Sequence, residues 1–290
     1  MITDEIADEV RRLELATRRL VRDLSAGDYA SAFRGRGIEF QDVREYQPGD
    51  DVRTIDWRVT ARLGVTYLRR HHEERELTML LLVDESASAQ VGSRRRTRSE
   101  LAAQVAAVLA LTAAHANDRV GAAFFSDGLG RVVPPKKGRR HALRVLGELL
   151  AARAVGATTD LAGALDALEP LLPRRVVLVI LSDFYTSGYQ LPLSRLARKH
   201  EIICMQLRDS IEQALPAVGL LRLRDPESGS LVTVDASSAA VRAWVAERRG
   251  RFEETLAHDI YASGAELVRL DASGDFAEPL VAFFRRRARR

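Results

Sequence analysis

The stretch that decides the fold is Leu77-Thr78-Met79-Leu80-Leu81-Leu82-Val83-Asp84-Glu85-Ser86-Ala87-Ser88, in which an apolar run ends in an acid and two hydroxyls. Side chains on a strand alternate in direction, so a nearly continuous apolar run indicates a strand covered on both faces, as in a parallel sheet. Open α/β sheets bind ligands at the carboxyl ends of their strands. Asp84, Ser86 and Ser88 offer hard oxygens there, which suit magnesium or manganese.

Strand and helix patterns alternate from this stretch to the end of the chain. Such alternation predicts an α/β fold with a doubly wound, mostly parallel sheet and helices on both faces. The predicted strands are 77–83, 119–125, 129–133, 176–181, 201–207 and 265–270, and the predicted helices are 98–116, 141–152, 161–168, 193–199, 239–258 and 276–286. If the strand order is 3-2-1-4-5-6, the first and fourth strands are neighbours at the topological switch point.

Two further polar stretches fall where the same crevice is expected. Thr159 precedes a predicted helix, and Asp183 directly follows the second fully apolar strand. Two carboxylates and three hydroxyls would then surround an octahedral ion, with room for water and one outside ligand. The predicted metal ligands are Asp84, Ser86, Ser88, Thr159 and Asp183. The alternative is that the serines only cap a turn or helix and the second acid accepts backbone hydrogen bonds.

The pattern Asp-x-Ser-x-Ser, a later Thr before a helix and a later Asp after a strand resembles the metal-ion-dependent adhesion site of von Willebrand factor A domains. The resemblance implies that the five residues hold a divalent ion, Mg²⁺ or Mn²⁺, whose open position takes a carboxylate from a partner. Two departures stand out. Thr158 rivals Thr159 as the ligand, and Phe184 follows Asp183 where the family usually has glycine.

The region before the sheet has a different character. Residues 4–24 show the spacing of an amphipathic helix, residues 65–70 resemble a strand, and residues 28–64 interleave charges of both signs with aromatic side chains. We expect residues 1–75 to pack beside a main domain, residues 76–290, that carries an irregular insertion at about 208–236 with a strand at 231–234. Within 28–64 few helix or strand periods are visible, and either a structural clamp or a docking surface would explain the composition.

Three stretches of this sequence resemble the bacterial domain-of-unknown-function 58 family: Arg34-Gly35-Arg36-Gly37-Ile38-Glu39-Phe40, Arg44-Glu45-Tyr46-Gln47-Pro48-Gly49-Asp50-Asp51-Val52-Arg53-Thr54-Ile55-Asp56-Trp57 and Pro216-Ala217-Val218-Gly219-Leu220. The resemblance covers nearly the whole chain. It implies a von Willebrand A-like fold and an association with MoxR-type AAA+ ATPases, beside which members tend to be encoded. Many members carry membrane helices ahead of the signature, and this chain resembles the short soluble form.

Composition limits the function classes. No apolar run approaches the ~20 residues of a membrane span, and the acidic start shows no signal-peptide pattern, so we expect a cytoplasmic protein. The net charge of +4 is small. The charged aromatic segment, 28–64, mixes acids with arginines, which favours ion pairs within the folded protein over a surface that binds nucleic-acid phosphates. The single cysteine, Cys204, lies in an apolar stretch and excludes an intrachain disulfide.

The leading hypothesis is a non-enzymatic, metal-dependent protein-interaction module whose partner is a MoxR-type AAA+ ATPase or one of its clients. A magnesium-dependent phosphoryl-transfer enzyme is one alternative, but aspartyl nucleophiles of that kind pattern as Asp-x-Asp, whereas Ser86 stands two residues after Asp84. A basic nucleic-acid-binding protein is the other alternative, supported by the arginine-rich end at 285–290.

Overall fold

The computed structural model describes residues 4–25, 27–34, 43–52, 55–69, 77–90, 92, 96–151, 158–172, 175–209, 215–224 and 229–289. Parts of the predicted signature (35–42 and 53–54), part of the insertion (210–214 and 225–228) and the residues just before Thr158 lie outside this description. The helices are α1 (Asp4–Ser25), α2 (Asp28–Arg34), α3 (Trp57–Leu63), α4 (Arg98–His115), α5 (Arg139–Leu150), α6 (Leu161–Leu168), α7 (Gln190–Ala197), α8 (Ala239–Ala262) and α9 (Ala277–Ala288). The strands are β1 (Val43–Glu45), β2 (Tyr67–Arg69), β3 (Thr78–Asp84), β4 (Arg119–Phe125), β5 (Leu129–Lys137), β6 (Val177–Ser182), β7 (Glu201–Arg208), β8 (Leu220–Arg224), β9 (Leu231–Asp235) and β10 (Glu266–Asp271).

The central sheet has six strands in the order β10-β7-β6-β3-β4-β5. If these six strands are numbered 1 to 6 in chain order and the sheet is read from β5 to β10, the order is the expected 3-2-1-4-5-6. Every pair is parallel except β4 with β5. The α/β, doubly wound fold class is therefore confirmed. In the register of β3 with β6, Val83 lies opposite Leu181. The residues that follow these two strands consequently emerge side by side at the topological switch point.

Helices cover the sheet on both faces, and β3 shows how. Met79, Leu81 and Val83 contribute to a core shared with α1, α4, α5 and α9. Leu80 and Leu82 contribute to a second core shared with α6, α7 and α8. Burying each of these side chains stabilises the fold by about 1.5–3 kcal/mol. The strand is thus fixed from both sides, and the polar residues that follow it begin from a rigid position.

The amino-terminal helices add to the first core. Val10 and Leu24 of α1 and Tyr29 and Phe33 of α2 are all buried in it. The amphipathic spacing over 4–24 is confirmed as α1. Within the described residues no helix is long and apolar enough to span a membrane.

The expectation of little regular structure over 28–64 is wrong, because α2, β1 and α3 all fall there. Each is seven residues or fewer, too short to show a helix or strand period in sequence. Local capping defines α3. The Asp56 carboxylate accepts hydrogen bonds from the backbone N–H groups of Arg58 and Val59, and Gly64 ends the helix in the left-handed conformation at φ 74°.

Two other differences concern strands. β5 continues to Lys137 through Pro134 and Pro135, whereas the predicted strand stops at residue 133. Proline is tolerated because β5 is an edge strand, which needs hydrogen bonds on one side only. In the insertion, β8 and β9 form an antiparallel pair, of which only β9 was predicted. The alternation of leucine and arginine in β8 is the pattern of a half-exposed strand and was a usable signal.

Candidate functional site

Asp84 ends β3 at the carboxyl edge of the sheet and is 5% exposed. Its two oxygens are engaged from different directions. The backbone N–H of Ser86 donates to Oδ1 at 2.9 Å, closing a tight turn after the strand, and the Ser182 hydroxyl donates to Oδ2 at 2.6 Å from the neighbouring strand β6. These two hydrogen bonds hold the carboxylate in one orientation without neutralising it.

Ser86 and Ser88 stand next to each other in the turn that follows. Both side chains are buried, and their Oγ atoms lie 3.0 Å apart. A short 3₁₀ turn over Ala87–Gln90 brings them together. Neither hydroxyl serves as a simple cap of α4, whose N-cap is Thr97. The capping alternative therefore fails for that helix.

Asp183 follows β6 and is 4% exposed. Its Oδ1 accepts a hydrogen bond from the backbone N–H of Tyr185 at 3.0 Å, and the hydroxyl of Ser88 also lies against the carboxylate. Hydrogen bonds thus run without a break from Ser182 through Asp84 and the two serines to Asp183. Four of the five predicted ligands are brought together in this way. Sequence reasoning missed Ser182, although its position beside Asp183 at the end of a buried strand was a usable signal.

Phe184 adopts φ 60°, in the left-handed region that favours glycine. The ring is fully buried and packs edge-on against Tyr189, with the ring centroids 6.0 Å apart. The backbone N–H of Phe184 donates to the Ser182 hydroxyl at 3.0 Å. The departure from glycine thus keeps the glycine-like backbone, and burial of the ring offsets a conformational cost of about 1 kcal/mol.

Arg98, the first residue of α4, is a component of the site that sequence reasoning missed. It is 3% exposed, and its Nη1 lies 3.0 Å from the Ser88 carbonyl oxygen and 3.3 Å from Asp183 Oδ2. A second guanidinium, that of Arg249 on α8, is close enough for the charges of Arg98 and Asp183 to affect its pKa. In sequence, both arginines read as ordinary residues of helices, and only the packing of α4 and α8 shows that they face a buried acid.

The two carboxylates carry more negative charge than their surroundings accommodate. Burial and, to a smaller extent, the charge of Asp183 together raise the pKa of Asp84 to about 6, although hydrogen bonds from Ser182 and Ser86 oppose the rise. Burial also raises the pKa of Asp183, although the positive charge of Arg98 opposes the rise. A charge that is costly to bury and only partly compensated is a feature of functional sites.

Thr159 lies on the same edge of the sheet. Its backbone oxygen accepts a hydrogen bond from the Thr186 hydroxyl at 3.0 Å, which joins its loop to the segment after β6. The next residue, Asp160, donates its N–H to Ser126 after β4 and caps α6. Thr158 is exposed, whereas Thr159 is half-buried. Participation of the Thr159 hydroxyl in the site stays a prediction.

The residues present fit a hard divalent cation. Two buried carboxylates and two buried hydroxyls converge, all of them oxygen donors of the kind that Mg²⁺ and Mn²⁺ prefer. Within the described part of the chain, no group of three or more His, Cys, Asp or Glu side chains could hold a metal. A site here would rest on two carboxylates supplemented by hydroxyls, and a bound ion would compete with Arg98 for Asp183.

The family described as "Protein of unknown function DUF58" matches residues 42–254, so the chain belongs to this family. Among relatives, the "Uncharacterized protein Rv1480" of Mycobacterium tuberculosis is 34% identical over 289 residues, which cover 98% of this chain and 90% of that protein. The family membership expected from the charged signature is thereby confirmed.

Solved structures with similar folds are distant in sequence. The conserved hypothetical protein BatB from Bacteroides thetaiotaomicron aligns with a TM-score of 0.45 at 16% identity, over 74% of this chain and all of that one. The SpRpn10 VWA domain aligns at 0.40 and 13% identity, over 71% and 94%. A mussel byssus protein, PTMP1 with a zinc-occupied MIDAS motif, aligns at 0.36 and 15% identity, over 46% and 38%. At these scores the comparisons carry no argument about function.

Proposed function

We propose that the chain is a non-enzymatic protein-interaction module that binds an acidic side chain of a partner through a divalent ion, Mg²⁺ or Mn²⁺. The observation that supports this function is the contact of two buried carboxylates with two buried hydroxyls at the switch point of the sheet. Asp84, Ser86, Ser88 and Asp183 are the proposed ligands, and Thr159 completes the set from the loop before α6.

The protein's own residues would prepare the site before an ion arrives. Ser182 orients the Asp84 carboxylate, and the turn that begins at Ser86 holds the second hydroxyl 3.0 Å from the first. Arg98 holds Asp183 in place through the ion pair between its Nη1 and Asp183 Oδ2. When bound, the ion supplies a positive centre with an open coordination position. In a partly dry crevice, the attraction between such a centre and a carboxylate is strong and directional.

The proposed partner is a MoxR-type AAA+ ATPase or one of its clients. This choice rests on the family resemblance, whereas the requirement for an acidic side chain rests on the chemistry of the site. Beside Asp183, the ring of Tyr185 stacks on Phe252 with a centroid distance of 4.4 Å and remains 42% exposed. This rim would give a partner loop apolar surface next to the charged contact.

The test separates metal binding from partner binding. Isothermal titration should show that Mg²⁺ binds the wild type and fails to bind Asp84→Asn, while Asp166→Asn, which alters an exposed carboxylate on α6, binds normally. Immobilised wild-type protein should then capture the MoxR-type ATPase of the same organism in Mg²⁺ and release it in chelator. Capture that is unchanged by chelator, or by Asp84→Asn, would refute the metal-dependent interaction.

A further inference from the structure

A second polar cavity lies at the opposite end of the sheet from the Asp84 site. Its volume is about 780 Å³, within the range of small-molecule sites. The amino ends of β7 and β10 form its floor, and the ends of α7, α8 and α9 form its walls. Because the Asp84 site lies at the carboxyl ends of β3 and β6, at the opposite edge of the sheet, the two sites are separate.

The cavity is rich in positive charge. Among the residues that the structure describes, four cationic side chains line it, namely Arg175, Arg198, Lys199 and Arg286. Lys199 donates to Glu169 at 2.9 Å, whereas Arg175 and Arg198 form no ion pair with any described residue. Several guanidinium groups converging on one cavity are suited to forked hydrogen bonds with phosphate or carboxylate oxygens.

The acids of the cavity floor do not cancel this charge. Glu201 and Glu266 both pair with the guanidinium of Arg287, which is only 7% exposed and also donates to the backbone oxygen of Ala32. One buried cation therefore already compensates two acids in part. Lys199 is already paired with Glu169. The three arginines of the lining and Arg287 exceed the two glutamates by two positive charges.

The remaining lining is suited to a small ligand with a polar head. His200 is buried in the floor, and burial lowers its pKa, as does the charge of Lys199. Tyr261 at the end of α8 is 56% exposed and offers an aromatic face beside the cations. A ligand with several negative charges close together would use all of these groups.

We propose that this cavity binds a small molecule carrying two or more phosphoryl groups. Arg175, Arg198 and Arg286 would bind the phosphoryl oxygens, and the excess of two positive charges matches a polyphosphate better than a single carboxylate. The proposal concerns a site separate from the proposed metal site, and neither depends on the other.

The experiment uses the full chain in chelator, so that the Asp84 site does not contribute, and inorganic triphosphate as the probe. Isothermal titration is expected to show saturable binding that is at least about tenfold tighter than binding of orthophosphate, because the probe engages several cations at once. Arg286→Gln should weaken triphosphate binding by about tenfold, the loss expected for a charge-assisted contact.

The matched control is Arg285→Gln, on the same helix and with the same change in charge. Arg285 is bound to Asp28 of α2 and does not line the cavity, so its loss should alter the affinity by less than about twofold. Both arginines are exposed, so both variants should fold. Failure of the wild type to bind triphosphate, or equal weakening by Arg285→Gln and Arg286→Gln, would overturn the proposal.

Discussion

The ion pair between Arg98 and Asp183 leads to a quantitative prediction for Arg98→Met. Arg98 Nη1 lies 3.3 Å from Asp183 Oδ2, and both side chains are nearly inaccessible to solvent. At an effective dielectric constant of 20, two unit charges at this separation attract by about 5 kcal/mol. Removing one partner of a buried pair typically costs about 3–5 kcal/mol, because the other charge is left uncompensated. Protonation of Asp183 in the variant limits the cost, so we expect a loss near the lower value.

The measurement is urea unfolding of wild type and variant in chelator at pH 7.5, where the free energy of unfolding should fall by about 3 kcal/mol. Mg²⁺ should bind Arg98→Met more tightly than the wild type, because a competing positive charge has been removed from Asp183. Arg139→Met is the control: it breaks an exposed pair with Glu14 and should cost no more than about 1 kcal/mol. A loss for Arg98→Met no larger than that of the control would refute the assigned role of Arg98.

Two further predictions concern the same site. Because the folded-state pKa of Asp84, about 6, lies above its ordinary value of 3.8, protonation stabilises the metal-free fold; this contribution is fully present below the ordinary pKa and is lost as the pH rises through the folded-state value. Asp84 should therefore lower the free energy of unfolding, measured in chelator, at pH 8 relative to pH 5, and this part of the difference should be missing in Asp84→Asn. Identical pH profiles for the wild type and the variant would contradict the raised pKa of Asp84. At Phe184, with φ 60°, both Gly and Ala should destabilise through the lost ring, but Gly should be about 1 kcal/mol more stable than Ala. Thermal unfolding of the two variants checks this order, and a more stable Ala variant would show that the backbone is not held in the left-handed region.

Much of the fold could be predicted because each long element carries its own signal. β6 is fully buried and β3 is buried except at Thr78, and their neighbouring positions follow from the general topology of doubly wound sheets. The approach of Asp84 to Asp183 follows from that order alone. The serines of the first loop were predictable from spacing because they lie on the same turn as Asp84.

The remainder depends on long-range packing that no local pattern shows. Arg98 reaches Asp183 only because the start of α4 lies beside the residues that follow β6, and an arginine at the start of a helix otherwise indicates exposure. The position of Ser182 at the end of a buried strand was visible in the sequence, but its hydrogen bond to Asp84 forms only because β3 lies beside β6. Short elements such as α3 depend on single capping contacts, which composition cannot distinguish from an irregular loop.

The prolines of β5 also affect how the sheet can associate with other chains. Successive N–H groups of a strand point to opposite sides, so one of the adjacent residues Pro134 and Pro135 removes a donor from the outer edge of the sheet. A strand from another molecule cannot extend the ladder continuously past this point. Filament growth by strand addition is thus obstructed at the β5 edge, and oligomers that form there must use side-chain contacts.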